Sequence, residues 1–93
     1  MSYYVTRVEL HYASYADYES LHSAMQRAGF SRFIVGDDGQ TYQLPTAEYV
    51  MSGDYDVAAV REAAARAAAT TGKRFAVIVT RGASLSWQGL AAA

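Results

Sequence analysis

Residues 29–45 read GFSRFIVGDDGQTYQLP, and this stretch decides the architecture. Gly29 stops an amphipathic segment with a residue free to take positive φ, Ser31 to Gly36 run as an apolar strand, and Asp37-Asp38-Gly39 supplies a turn. Residues 41–45 lengthen the connection beyond a two-residue hairpin, which predicts a flap or short extra ladder before the next strand. Pro45 cannot donate to a ladder, so the paired part of the strand over 46–52 begins after it, with Glu48 and Val50 on one face and Ala47, Tyr49 and Met51 on the other.

Working outward from this segment, residues 3–12 alternate. Tyr4, Thr6, Val8, Leu10 and Tyr12 point one way, and Tyr3, Val5, Arg7, Glu9 and His11 the other, as in a half-buried strand. Ser14 followed by Asp17 predicts a capped helix over 15–28, with Tyr18, Leu21, Met25 and Ala28 on its buried stripe. Asp54 or Asp56 can cap a second helix over 55–71, where Val57, Val60, Ala64 and Ala67 or Ala68 form the stripe and Gly72 ends it. Its alanines favour the helix and let it lie close to a sheet. Residues 75–80 are apolar on both faces, as in a strand covered on both sides.

Strand, helix, strand, strand, helix, strand is the split β-α-β plan of the α+β class: a four-stranded antiparallel sheet with two helices on one face. Right-handed crossovers place the strands over 3–12 and 46–52 in the centre. The domain covers 1–81, and 82–93 form a tail that packs on the sheet or in a dimer interface. The second sheet face mixes Arg7, Glu9 and His11 with apolar side chains, which predicts cover by a second copy of the chain, through Tyr3, Val5 and Trp87, or by the tail itself.

With 93 residues the chain is one domain, and with no cysteine it holds no disulfide or Cys-based metal site. No apolar run is long enough to span a membrane, and residues 1–5 lack the features of a signal peptide, so a soluble, cytoplasmic protein is expected. The formal charge of -1 argues against a whole-surface grip on nucleic acid and leaves only local basic patches. The eight tyrosines exceed what a small core can bury with every hydroxyl satisfied, so some rings are expected on a surface that meets a partner.

The topology is expected to gather His11, Tyr12, Asp37, Asp38, Lys73 and Arg74 at one sheet end, and Arg27, Arg32, Asp54 and Arg81 at the other. The first mixture could move protons, hold a divalent ion through Asp37 or Asp38, or stabilise developing negative charge. Asp-Asp-Gly is also ordinary turn chemistry and lacks the ligand spacing of a calcium loop. Arg7 and Glu9 are either a substrate-contacting row or cross-strand charge partners, and His22 reads as a boundary residue. There is no phosphate-cradling Gly-rich loop, nucleophile elbow or zinc-binding histidine pair, and no cofactor or metal is expected.

Over about residues 4–81 the chain resembles the GhoS-like antitoxins of type V toxin-antitoxin systems, which are similar in fold to Cas2 proteins. The likeness rests on Gly29-Phe30-Ser31, Ile34-Val35, Asp37 to Gly39 and Gln43-Leu44, in that order and spacing. It implies a ferredoxin-like homodimer with endoribonuclease activity against a toxin mRNA. Cas2-like nucleases tend to carry an aspartate near the end of the first strand, where this chain has Val8-Glu9-Leu10-His11-Tyr12. His11 and Glu9 are therefore the candidate catalytic residues, with Arg7, Lys73 and Arg74 as RNA contacts. Two alternatives stand beside this: a noncatalytic protein-binding module, such as a regulator or phage-type inhibitor, and a metabolite-binding dimer.

Overall fold

A computed structural model describes residues 1–93. The elements are β1 (Ser2–Leu10), α1 (Tyr15–Arg27), β2 (Phe33–Val35), β3 (Thr41–Gln43), β4 (Glu48–Gly53), α2 (Val57–Ala69) and β5 (Phe75–Gly82). β1 is the centre of a three-stranded antiparallel sheet, β4-β1-β5. Tyr4 lies opposite Met51 and Arg81, Thr6 opposite Tyr49 and Val79, and Val8 opposite Val77. The even-numbered face of β1 is buried under both helices, in one core with Leu21 and Met25 of α1, Tyr49 of β4, and Val60, Ala64, Ala67 and Ala68 of α2.

Both helix starts follow local chemistry. The Ser14 hydroxyl accepts from the Asp17 amide and the Asp17 carboxylate accepts from the Ser14 amide, a reciprocal capping box. Those bonds from Ser14 hold the Asp17 carboxyl below its ordinary value. Asp56 caps α2 by accepting from the Ala58 amide at 3.2 Å. Both helices are shorter than the sequence pattern suggests, and Ala28 and Val57 lie beyond the buried stripes, exposed. Tyr12 has left the strand as well: its φ is 54° and it is 98% exposed.

The expected four-stranded sheet is split. Only Ser31 reaches β4, exchanging backbone hydrogen bonds with Val50 at 2.9 and 2.8 Å. Beyond it, Phe33–Val35 pair with Thr41–Gln43 in a separate two-stranded ladder. That ladder satisfies the backbone of β2 through partners close in sequence, while Pro45 lacks the amide that would continue it into β4. The chain then swings at Ala47, whose φ is 65°, and the Ala47 carbonyl accepts from the Val8 amide at 3.0 Å before β4 begins.

The C-terminal segment completes the hairpin rather than the main sheet. Gln43 donates to the Ala91 carbonyl and Ala93 to the Thr41 carbonyl, each at 2.9 Å. Trp87 is half-buried against Tyr42, ring centroids 5.7 Å apart. Asp38 accepts from the Tyr42 hydroxyl at 2.7 Å, which lowers its pKa and raises that of the phenol.

Three tyrosine hydroxyls tie helices to strands. Tyr4, fully buried, bonds both the carbonyl and the amide of Tyr55 just before α2, the latter at 2.7 Å. Tyr18 on α1 accepts from the Leu10 amide at 3.1 Å. Tyr49 of β4 meets His22 of α1. One buried polar atom is orphaned: the Thr6 hydroxyl has no partner in the core. Leaving a buried hydroxyl unpaired costs about 1–3 kcal/mol, whereas an isosteric methyl carries no such cost. Thr6→Val is expected to stabilise the fold by about 1 kcal/mol, read as a higher urea midpoint at unchanged slope; an unchanged or lower midpoint would show the hydroxyl to be satisfied.

Candidate functional site

The face of the main sheet away from the helices carries the odd-numbered residues of β1. Tyr3 and Val5 are half-buried, whereas Arg7 and Glu9 are exposed. In register, Arg7 faces Glu48 on one side and Ile78 on the other, and Glu9 faces Ala76. Arg7 forms no ion pair within 4 Å, since the chain's two salt bridges are Arg61–Glu62 and Lys73–Asp17. Arg7, Glu9, Ala76, Val77 and Ile78 line a shallow depression of about 210 Å³.

At the end of this row the His11 amide donates to the Arg74 carbonyl at 2.8 Å, which continues the β1–β5 register and sets His11 beside Arg74. Lys73 departs from this group: its ammonium lies 3.6 Å from Asp17 at the start of α1, on the helix side. The predicted RNA contacts are thus divided, with Arg7 and Arg74 on the open side and Lys73 behind it. The Glu9 and His11 side chains are exposed and take part in no hydrogen bond within the chain, so neither is held in a fixed orientation.

Asp37 and Asp38 do not join His11. The β2–β3 hairpin leaves the sheet, and Asp37 lines a cavity of about 380 Å³ with Tyr3, Ile34, Val35 and the segment 83–87, at the opposite end of β1. Trp87 and Tyr3 flank that cavity, so the Trp87 ring is occupied within its own chain. No group of three His, Asp or Glu side chains comes together in a way that could hold a metal ion.

A second polar constellation lies on the helix side, along the β4 edge. The Tyr49 hydroxyl is 2.6 Å from Nδ1 of His22, with the rings 5.8 Å apart. Burial pushes the Tyr49 phenol up to about 12, so it remains protonated at neutral pH, and which of the two groups donates is set by the imidazole tautomer. Burial first, and the Arg32 charge second, push the His22 pKa below 6.5. Glu19, Ser23, Gln26, Arg32 and Phe33 surround His22 in a groove of about 500 Å³. Periodicity read His22 as a boundary residue on the first helix but could not show Tyr49 beneath it. The one available signal was a histidine four residues from Tyr18, beside a stripe that ends on a tyrosine-bearing strand.

Comparison of the chain with protein-family models, with curated proteins and with solved structures finds no significant match.

Because the folded chain holds His22 below 6.5, the unfolded chain takes up that proton first as pH falls. The contribution is complete above 6.5 and is lost as pH drops from there toward the folded value. Thermal melts between pH 7.5 and 5.5 are expected to show a falling Tm, and His22→Gln, which keeps a neutral hydrogen-bond partner for Tyr49, is expected to flatten that dependence. An unaltered slope in the variant would exclude His22 as its source.

Proposed function

We propose that this chain is a GhoS-like antitoxin: a cytoplasmic, ferredoxin-like homodimer that binds RNA, including a toxin mRNA, across its open sheet face. The observation that carries this reading is the strand order. β5 lies beside β1, β1 beside β4, and Ser31 reaches the far side of β4, which supports a ferredoxin-like order in which most of the second strand pairs with β3 instead. Both helices cover the even-numbered face of β1, so Arg7, Glu9, His11 and Arg74 are left for a ligand. Arg7 and Arg74 supply phosphate contacts, and the half-buried Tyr3 offers a ring for a base.

RNA capture has firmer support than cleavage. A general base must be positioned as well as present, and His11 and Glu9 lack any hydrogen bond that would position them. The endoribonuclease activity implied by the resemblance therefore requires RNA or a second copy to orient His11.

A second reading, a noncatalytic protein-binding module, is favoured by Ile78. It is 64% exposed on β5, whose outer edge pairs with no strand. An apolar residue on an open edge suits addition of a partner's strand, and Glu9 and Glu48 offset the charges of Arg7 and Arg74.

Gel-shift titration at low salt with single-stranded RNA is expected to give a complex. Arg7→Ala and Arg74→Ala should each weaken it and each reduce the slope of log K against log salt by about 0.7. His11→Ala should abolish cleavage while leaving the shift in place. Neither shift nor cleavage would overturn the RNA reading in favour of the protein-binding one, and cleavage unchanged by His11→Ala would remove His11 as the base.

A further inference from the structure

The helix-side groove holds two opposite charges that do not pair. Glu19 on α1 and Arg32 after it both act on His22, Tyr15 and Tyr49, yet neither belongs to a salt bridge within 4 Å. Arg32 is half-buried, where an unneutralised guanidinium is costly unless something else accepts its hydrogens. The groove also presents an exposed ring. Phe33 is 44% exposed on its wall, and Tyr15, outside the lining, is 81% exposed with its phenol pushed up by a hydrogen bond to Glu19, whose carboxylate has a second oxygen to accept from a ligand. In the groove His22 is held through Nδ1 by the Tyr49 hydroxyl at 2.6 Å, which leaves Nε2 unbonded within the chain, and the Gln26 amide forms no bond within the chain.

A flat ligand with paired donors on one edge and paired acceptors on the other matches this arrangement. Among the nucleobases guanine has that distribution: N1–H and the N2 amine donate side by side, as one carboxylate accepts, and O6 and N7 accept side by side, as a guanidinium donates. Adenine presents a donor beside N7 and offers a carboxylate no paired donors. Unstacked RNA bases are commonly held against aromatic rings and read along these edges.

We propose that the groove between α1 and residues 29–33 is a guanine-recognition site, in which Glu19 accepts from the Watson–Crick edge, Arg32 donates to O6 and N7, and Phe33 stacks on the base. This deepens the RNA-binding reading and rests on it for the natural ligand, an unpaired guanine in single-stranded RNA. Tyr49 is a positioning residue, holding Nδ1 of His22 so that Nε2 is left for the ligand. Glu19 disfavours a bare phosphate in the same place, which separates this groove from the phosphate-contacting open face.

The test uses the full chain and guanosine 5′-monophosphate, with adenosine and cytidine 5′-monophosphates as controls, followed by NMR at the His22 and Arg32 side chains. Guanosine monophosphate is expected to bind at least about tenfold more tightly than the other two. Glu19→Gln, on an exposed helix position, should remove that preference without altering the fold. Equal binding of the three nucleotides, no binding, or a preference that survives Glu19→Gln would each overturn the site. RNA binding without guanine preference would overturn the groove alone. Guanosine monophosphate selection without RNA binding would overturn the antitoxin reading alone.

Discussion

β1 is hydrogen-bonded along both edges and buried on one face, and the rest of the molecule is arranged by those facts. Side chains of a strand alternate, so register leaves no freedom about which residues reach the core: a slip by one would bury Arg7 and Glu9 and expel Tyr4 and Val8. Burying an ion without a partner costs far more than the register can absorb. The same alternation that packs Tyr4, Thr6, Val8 and Leu10 under the helices therefore obliges Arg7 and Glu9 to face outward together.

Around that strand, tyrosine resolves the conflict between a small core and polar connections. Each of Tyr4, Tyr18 and Tyr49 contributes ring area to the interior or its margin and places its hydroxyl on a group that has to be fixed: the approach to α2, the end of β1, and the His22 ring. The expectation that so many phenols could not all be satisfied inside is met by division. Tyr12 and Tyr15 stand outside, and Tyr42 belongs to the hairpin and tail.

What could be read from sequence was whatever depended on neighbours along the chain. The Ser14–Asp17 capping box, the alternation of β1, the alanine stripe of α2, the positive φ of Gly29 and the faces of Tyr49 and Val50 are local or periodic, and the structure carries all of them. The fate of β2 depended on a competition. Phe33–Val35 could extend the main sheet or fold on Thr41–Gln43, and the turn at Gly36 to Gln40, the missing amide of Pro45 and the swing at Ala47 settle it for the nearer partner. Once the hairpin leaves the plane, Asp37 and Asp38 go to the Tyr3 end and Trp87 packs on Tyr42, so the grouping of these aspartates with His11 is lost. The His22–Tyr49 contact spans 27 residues and belongs to no motif, and for that reason periodicity passed over it.

Two polar regions result, one on each side of the sheet: an outward row from Tyr3 to His11 with Arg74, and a groove built on His22, Glu19 and Arg32. The first is the face of β1 that the fold leaves open and the one proposed to meet an RNA backbone. The most direct test is a titration of isotopically labelled protein with a short unstructured RNA at low salt, followed by backbone amide and arginine side-chain resonances. The account predicts progressive shifts at Arg7, Glu9, His11, Arg74 and Ile78, with the buried-face residues Thr6 and Val8 nearly still. No shifts on that row, or shifts confined to the outer surface of α2, would contradict it.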